Sequence, residues 1–256
     1  MKDAIRISHF YYQDLFDNFS LSIPNNQFIT VSGPNNCGKT SLMRILNRDI
    51  IVDESIEIEG EMINTYSISS YSMLVGCVIP LEKEFEEKTL EKELYLYTDD
   101  TKRVDYVLSG LYLKAISRKD ITKLSFKEFI LCQLAVELIK SLKILLIDDI
   151  SPYFEKEERC KILSFLKKYQ KKEENVILYT TRFLEDSLYT DYLYVIDNKK
   201  VVLEGFPSEV LENDTMINKI GLDLPFMIDL SVKLRDYKLL EQIELDKRRM
   251  VDVLWK

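Results

Sequence analysis

A glycine-rich segment is the strongest candidate for chemistry in this sequence of 256 residues. Residues 33–40 read GPNNCGKT and fit the spacing G-x-x-x-x-G-K-[ST]. In this pattern the glycines let backbone N–H groups surround a β-phosphate, and the lysine reaches the β and γ oxygens. The hydroxyl of the last residue completes a Mg²⁺ coordination shell. The spacing therefore predicts a P-loop that binds a nucleoside triphosphate.

The residues expected to contact the nucleotide lie in this loop and at the start of the helix after it. They are Gly33, Pro34, Asn35, Asn36, Cys37, Gly38, Lys39, Thr40 and Ser41. The alternative interpretation is a glycine turn that joins a strand to a helix and binds nothing. A β-branched run at 27–32 and helical spacing at 41–47 favour the nucleotide site, because a P-loop lies between a strand and a helix.

An acidic residue at the end of a second apolar strand is the expected partner for Mg²⁺. Residues 143–148 read KILLID, so Asp148 follows a strand of the buried type. A P-loop protein needs such a carboxylate to hold a magnesium-bound water, and Thr40 and Asp148 are the predicted metal site. Apolar strands that end in aspartate are common, so the pattern is specific only together with the P-loop.

The elements that position these residues alternate between strands and helices. Apolar or alternating runs predict strands at 5–12, 19–23, 27–32, 73–79, 144–147, 175–180, 192–196 and 201–203. Helices are predicted at 41–47 and 156–171, in most of the stretch from about 85 to 140, and in a polar tail over about 208–256. This order predicts one α/β domain over 1–256 with a helical insertion.

Charge and composition exclude several classes of protein. The net charge of −8 argues against a nucleic-acid binder, because such a surface repels phosphate backbones. The four cysteines have no C-x-x-C spacing and His9 is the only histidine, which excludes ordinary zinc ligation and favours a reducing compartment. The most apolar long window, 129–147, contains Glu137, Lys140 and Lys143, so no membrane span is predicted.

Four further segments resemble the ATP-binding-cassette (ABC) ATPases. Residues 124–128 (LSFKE) stand where those ATPases carry an LSGGQ signature at the start of a helix. Residues 191–211 resemble the family's hairpin and the G-x-P-x-E-V-L segment after it. The tail, with GLDLP at 221–225 and VDVLWK at 251–256, is similar to the ATPase subunits of energy-coupling-factor (ECF) transporters, which import vitamins and metal ions in bacteria.

The resemblance implies an α/β P-loop NTPase fold, the ABC nucleotide-binding domain, with a mixed sheet, an antiparallel β-subdomain and an inserted helical subdomain. It implies ATP and Mg²⁺ as ligands and a pair of subunits, each ATP lying between the P-loop of one and the signature of the other. Ser125 is then expected to bond the γ-phosphate. Tyr12 stands where the family places an aromatic residue on adenine, with Tyr11 as the alternative; core packing of Tyr12 is the competing interpretation.

The same comparison exposes departures in the residues that perform hydrolysis. Asp149 stands at the position of the catalytic glutamate and is shorter by one methylene, while Thr181 replaces a histidine that contacts the γ-phosphate. Pro80 replaces a glutamine and has no side-chain donor or acceptor. Phe126 and Lys127 replace two signature glycines, where side chains obstruct a close approach to phosphate. Lys127 could instead add charge there, although a lysine at a helix start is usually just solvated.

These features together predict an ATP-binding subunit of an ECF-type importer, the weakly hydrolytic member of a heterodimer. The predicted partners are a second ABC ATPase subunit and a transmembrane scaffold subunit, contacted through a groove near residues 80–95. The chain is expected to be cytoplasmic and peripheral on the inner face of the cell membrane. The alternatives are a non-transport ATP-dependent switch built on an ABC domain and a P-loop protein of another class.

Overall fold

The computed structural model describes residues 3–52, 55–80, 84–245 and 247–255. Within these ranges the strands are β1 (Asp3–Tyr12), β2 (Phe16–Pro24), β3 (Phe28–Ser32), β4 (Ile56–Ile58), β5 (Glu61–Met62), β6 (Val75–Val78), β7 (Ile144–Ile147), β8 (Val176–Thr181), β9 (Tyr192–Asp197) and β10 (Lys200–Gly205). The α-helices are α1 (Lys39–Leu46), α2 (Ile68–Ser72), α3 (Leu90–Tyr95), α4 (Thr101–Gly110), α5 (Phe126–Ile139), α6 (Lys156–Glu173), α7 (Pro207–Val210), α8 (Asp214–Lys219), α9 (Phe226–Asp236) and α10 (Lys247–Leu254). Each predicted strand overlaps an observed one, with ends that differ by up to three residues; β4, β5 and α2 are additional.

A six-stranded mixed sheet forms the centre, in the order β10-β9-β3-β8-β7-β6. The strands β6, β7, β8, β3 and β9 are parallel, and the edge strand β10 is antiparallel to β9. Strands β3, β7 and β8 are buried at every position, as expected for parallel strands covered on both faces. The carboxyl ends of parallel strands meet at one edge of a sheet, so the segments after β3, β7 and β8 are brought together.

The second sheet is antiparallel, with the order β2-β1-β4-β5. Alternate residues of β2 are buried, which leaves one face for the core and one for solvent. This sheet and α1 share a hydrophobic cluster with Ile29, Val31, Leu146 and Leu178 of the central sheet. The antiparallel sheet and α1 therefore cover one face of the mixed sheet, and the predicted α/β fold class is confirmed.

The opposite face of the mixed sheet is covered by helices. Neighbouring residues of the same strands, Leu145, Ile147 and Ile177, lie in a second cluster with α4, α5 and α6. Helix α5 is buried around most of its circumference, which explains why it is apolar on every side. The predicted groove near 80–95 includes 81–83, which lie outside the described residues.

The C-terminal helices pack on the β9–β10 end of the mixed sheet. Leu193 and Val195 of β9 share a third hydrophobic cluster with Leu211, Ile217 and Ile228. In the part of the chain that the structure describes, no helix combines the length and the apolar character needed to cross a membrane.

Candidate nucleotide site

The P-loop leaves the centre of the mixed sheet and enters α1. Gly38 precedes α1 with a φ of +102°, a conformation that residues with a Cβ rarely adopt, and a Cβ there would lie 3.0 Å from the Phe16 ring. A Cβ on Gly33 would lie 2.3 Å from the carbonyl oxygen of Ile196 in β9. Both glycines of the motif are therefore required by the local geometry.

The side chain of Lys39 is held inside this loop. Its Nζ donates to the carbonyl oxygens of Gly33 at 2.7 Å and Pro34 at 2.8 Å, and the residue is only 7% exposed. A third contact, at 3.7 Å, joins Nζ to the Sγ of Cys37. The ammonium group thus lies at the centre of the loop, where the motif requires a cation for phosphate.

Asp148 lies directly after β7 and is 4% exposed. Its backbone N–H donates to the carbonyl oxygen of Val78 at 2.9 Å, and its Oδ1 accepts from the hydroxyl of Thr180 at 2.7 Å. Thr40, in the first turn of α1, is exposed. A fixed carboxylate and a hydroxyl fit Mg²⁺, which takes one or two protein oxygens and completes its octahedral shell with phosphate oxygens and water.

Asp149 follows in an unusual backbone conformation, with a φ of +34°. Its N–H donates to the Thr180 hydroxyl at 3.0 Å, and its Oδ1 is buried without a hydrogen-bond partner among the described residues. Burial raises the pKa of the Asp149 carboxyl, while the positive charges of Lys39 and Arg182 oppose that rise. The carboxylate predicted to be catalytic therefore lies within electrostatic reach of the P-loop lysine.

Thr181 is fully buried, and its hydroxyl is directed into the protein interior. The hydroxyl donates to Asp186 Oδ2 at 3.1 Å and accepts from the N–H of Phe183 at 3.0 Å. Asp186 Oδ2 also accepts from Tyr179 at 3.1 Å and from Ser151. The structure brings Thr181 to the same sheet edge as the P-loop, but its hydroxyl does not reach the surface of the site.

Tyr12 lies close to the loop through Phe16. The two residues are paired across β1 and β2, and Phe16 is the residue that a Cβ on Gly38 would meet. The Tyr12 ring stacks on Phe10 with centroids 6.1 Å apart and is half-buried, whereas Tyr11 is 65% exposed. Tyr12 is therefore near the P-loop but partly engaged in the core, and its contact with adenine stays a prediction.

Ser125 caps the N-terminus of α5. Its hydroxyl donates to Glu128 Oε2 at 2.7 Å, and the N–H of Glu128 donates to the Ser125 Oγ at 3.4 Å. The Ser125 backbone N–H also donates to Glu128 Oε2 at 2.7 Å, and this bond and the one from the hydroxyl lower the pKa of Glu128. No hydrogen bond joins 124–128 to the P-loop within the described ranges, which fits a segment predicted to act on a partner's nucleotide.

The residues after Ser125 contact their own chain. The Phe126 ring lies on the Tyr153 ring with centroids 4.9 Å apart, and Lys127 Nζ forms an ion pair with Glu158 Oε2 at 2.7 Å. Lys127 is therefore not simply solvated, because it forms a partly exposed ion pair within its own chain.

Two functional features were missed by reasoning from the sequence. Thr180 received no predicted role, yet its hydroxyl joins the carboxylate of Asp148 to the backbone of Asp149. Asp186, buried beside Arg159 with a 3.2 Å ion pair, holds the hydroxyl of Thr181. The available signal was the polar TTR at 180–182, which ends an otherwise apolar strand.

Comparisons with known proteins agree with this geometry. Residues 16–151, more than half of the chain, match the ABC transporter family. The ECF transporter ATP-binding protein EcfA1 of Mycoplasmopsis pulmonis is 23% identical, over 89% of this chain and 92% of that protein. A putative ABC transporter ATP-binding protein of Pyrococcus horikoshii is 27% identical, over 93% of this chain and 89% of that protein.

Solved structures agree on the fold. CbiO1 of Clostridium perfringens superposes with a TM-score of 0.72 at 21% identity, over 90% of this chain and 99% of that one. A dimeric ATP-binding cassette bound to ADP and Pi superposes with a TM-score of 0.68 at 15% identity, over 79% of this chain and 98% of that one. The predicted resemblance to ABC-type ATPases of the ECF kind is confirmed, and the chain belongs to the ABC transporter family.

Proposed function

We propose that this chain is the ATP-binding subunit of an ECF-type importer, in which ATP binding and hydrolysis drive solute uptake. It binds ATP with Mg²⁺, pairs with a second ABC ATPase subunit, and lies on the cytoplasmic face of the membrane by attachment to a transmembrane scaffold. Family membership supports this proposal, as does similarity to a protein named as an ECF transporter ATP-binding subunit. The CbiO1 structure, described as part of the cbiONQ transporter complex, supports it as well.

The observation that carries ATP binding is the position of Lys39. Its ammonium donates to the carbonyl oxygens of Gly33 and Pro34, which are weaker partners than a charged phosphate. The β and γ oxygens of a bound triphosphate would accept hydrogen bonds from Lys39 in place of those carbonyl oxygens, and Thr40 and Asp148 would hold the Mg²⁺ ion that neutralises the phosphates. The chain therefore binds the nucleotide through groups that are already positioned.

Weak hydrolysis by this chain alone follows from the groups around Asp149. The N–H of Asp149 donates to Thr180, and this hydrogen bond fixes the backbone of Asp149. The backbone therefore does not move forward to compensate for a side chain that is one methylene shorter than glutamate. A misplacement of about 1 Å can reduce a rate roughly a hundredfold. Thr181 is turned toward Asp186, and Pro80 has no group that positions water. The site is thus better equipped to bind ATP than to hydrolyse it.

The sequence of the signature segment, residues 124–128, favours a heterodimer over a homodimer. Phe126 and Lys127 place side chains where backbone N–H groups would have to approach a phosphate, and both side chains are held by Tyr153 and Glu158. In a homodimer of this chain, both nucleotide sites would have poor catalytic groups, and both would face a signature segment in which side chains obstruct the phosphate. In a heterodimer, a partner with an intact signature completes the nucleotide site of this chain. The catalytic groups of the partner perform most of the hydrolysis.

The first experiment measures ATP binding by the purified chain. Lys39→Ala should abolish binding of ATP·Mg²⁺, because it removes the cation at the centre of the loop. Lys199→Ala is the matched control, since Lys199 is a partly exposed lysine that pairs with Asp14 on the surface. Nucleotide affinity that is unchanged in Lys39→Ala would overturn the site assignment.

The second experiment tests the importer and the heterodimer. Purification from native membranes should recover the chain with a second ABC ATPase and a polytopic membrane protein. Rapid, cooperative ATP turnover by the chain alone would contradict the weakly hydrolytic role. Recovery of the chain free of membrane components would contradict the importer and favour the regulatory switch.

A further inference from the structure

A groove of about 1230 Å³ lies between the antiparallel sheet and the β9–β10 hairpin. One wall carries the exposed side chains of Ser8 in β1 and of Ser20 and Ser22 in β2, and the other is formed by β9 and the start of α7. Gln27 and Tyr192, at the amino ends of the parallel strands β3 and β9, also line the groove. Because the P-loop follows the carboxyl end of β3, the groove lies at the opposite edge of the mixed sheet from the candidate nucleotide site.

Three aromatic rings form a row along the β9 side of this groove. Tyr192 and Tyr194 are two residues apart in β9 and share a face, and their ring centroids lie 5.0 Å apart. The ring of Phe206 continues the row, with its centroid 6.2 Å from that of Tyr192. The hydroxyl of Tyr194 donates to the carbonyl oxygen of Ser22 in β2, which fixes this end of the row. Phe206, at the other end, is 59% exposed.

Phe206 is one of several exposed apolar side chains in the groove. Leu188 and Leu245 are also exposed and line the same groove. Apolar side chains that are scattered singly are normal on a protein surface, whereas several in one patch indicate contact with a partner. The charges of the groove indicate the chemistry of that partner.

Two of the charged side chains in the groove are neutralised within the chain. Arg6 pairs with Asp3 at 2.9 Å, and Asp191 pairs with Lys167. Glu204 also lines the groove and is exposed, and it forms no ion pair among the residues that the structure describes. The groove therefore carries uncompensated negative charge.

This negative charge lies beside the aromatic row. Glu204 in β10 is paired with Tyr194 in β9. Burial raises the pKa of the Tyr192 hydroxyl, and the negative charges of Glu204 and Glu209 raise it further. A carboxylate next to an exposed aromatic ring favours a cation, because the ring face and the carboxylate both attract positive charge. Lys and Arg side chains also have apolar stems, which can cover the exposed apolar surface nearby.

We propose that this groove, with Phe206, Tyr192 and Glu204, is a docking surface for a basic segment of a partner protein. A Lys or Arg side chain of that segment lies on the rings of Phe206 and Tyr192, and its charge faces Glu204. The groove and the P-loop are separated by the length of β3, about 15 Å. Docking therefore neither requires ATP nor displaces it, and the inference stands or fails separately from the proposed function.

The test measures binding of a fluorescent peptide of alternating Arg and Leu residues to the purified full chain, by fluorescence anisotropy at about 0.15 M salt. Phe206→Ala should weaken binding about threefold to thirtyfold, because it removes a cation–π contact and its apolar area. Phe206→Leu keeps an apolar side chain without a ring face and should lose a smaller part of the affinity. Glu204→Gln should weaken binding about twofold to fivefold, the size of an exposed ion pair.

The controls lie outside the groove, because a net charge of −8 attracts any basic peptide. Glu61→Gln removes an exposed carboxylate from β5, at the far edge of the antiparallel sheet from β2. Tyr237→Ala removes an exposed aromatic side chain after α9. Both variants should bind the peptide within about twofold of the unsubstituted chain, and thermal melting shows whether each variant is folded.

Four results would overturn the proposal. They are no binding by the unsubstituted chain, equal losses in the groove and control variants, full affinity in Phe206→Ala, and equal binding of a peptide in which Glu replaces Arg. Sedimentation of the chain tests the other occupant, a second copy. Self-association that Phe206→Ala abolishes would assign the groove to a second copy and would also overturn the proposal.

Discussion

Thr180 connects Asp148, the carboxylate predicted to hold Mg²⁺, to the residue after it, and its removal is the sharpest test of how the site is held. Its hydroxyl donates to Asp148 Oδ1 at 2.7 Å and accepts from the N–H of Asp149 at 3.0 Å. Thr180 is fully buried and Asp148 is 4% exposed, so water cannot readily replace the hydroxyl. Thr180→Val keeps the shape of the side chain and deletes both hydrogen bonds.

The expected loss of stability follows from those two bonds. A hydrogen bond to a charged partner contributes about 1.5–3 kcal/mol, and a buried amide left without a partner costs about 1–3 kcal/mol. Because the two share one hydroxyl and partial rearrangement is possible, we expect Thr180→Val to lower the free energy of unfolding by about 2–4 kcal/mol. In a chain of this size that corresponds to a fall in Tm of about 5–15 °C.

Urea unfolding and thermal melting of the purified chain measure this loss, with Thr215→Val as the control. Thr215 is an exposed threonine in α8, and its substitution should change the free energy of unfolding by less than about 0.5 kcal/mol. Thr180→Val should also weaken ATP binding more in the presence of Mg²⁺ than in its absence, because Asp148 loses its orientation. A stability loss no larger than that of Thr215→Val would refute the reasoning.

Three further changes test other parts of the site. Ser125→Ala should lower the free energy of unfolding by about 1 kcal/mol at pH 7, measured by urea unfolding. This difference from the unsubstituted chain should shrink below pH 4.5, because the lowered pKa of Glu128 contributes stability only while the carboxylate is ionised. Asp149→Glu should raise ATP turnover, by up to about a hundredfold, in the complex with a partner that has an intact signature and not in the isolated chain. Gly33→Ala should cost about 1–3 kcal/mol in melting experiments and weaken ATP binding, because its Cβ would overlap the carbonyl of Ile196.

The parts of the site that the sequence predicted are those encoded by neighbouring residues. The P-loop is one contiguous segment, and its strand and helix follow from the apolar run before it and the helical spacing after it. Asp148 could be found because an apolar strand stops at a carboxylate. Strands β4 and β5 were missed since they have three and two residues, too few for alternation to be visible.

The parts that could not be predicted depend on contacts between distant residues. Lys127 meets Glu158 only after α5 and α6 have packed together, and Arg159 meets Asp186 only after α6 has packed against the segment that follows β8. Neither partner has a spacing in the sequence that distinguishes it from an ordinary solvated charge. Thr180 and Thr181 are adjacent and identical, yet they face opposite sides of β8 and have different partners.

Under the proposed function, this difference would let one site keep nucleotide binding while hydrolysis is weakened. Binding depends on the P-loop, whose glycines and Lys39 are fixed by contacts within the loop and with β9 and β2. The residues predicted to act in hydrolysis lie at the ends of β7 and β8, and each is positioned by a separate set of hydrogen bonds. A substitution at either strand end therefore changes the geometry of hydrolysis without disturbing the loop. For this reason ATP affinity and turnover should respond independently to changes at Lys39 and at Asp149.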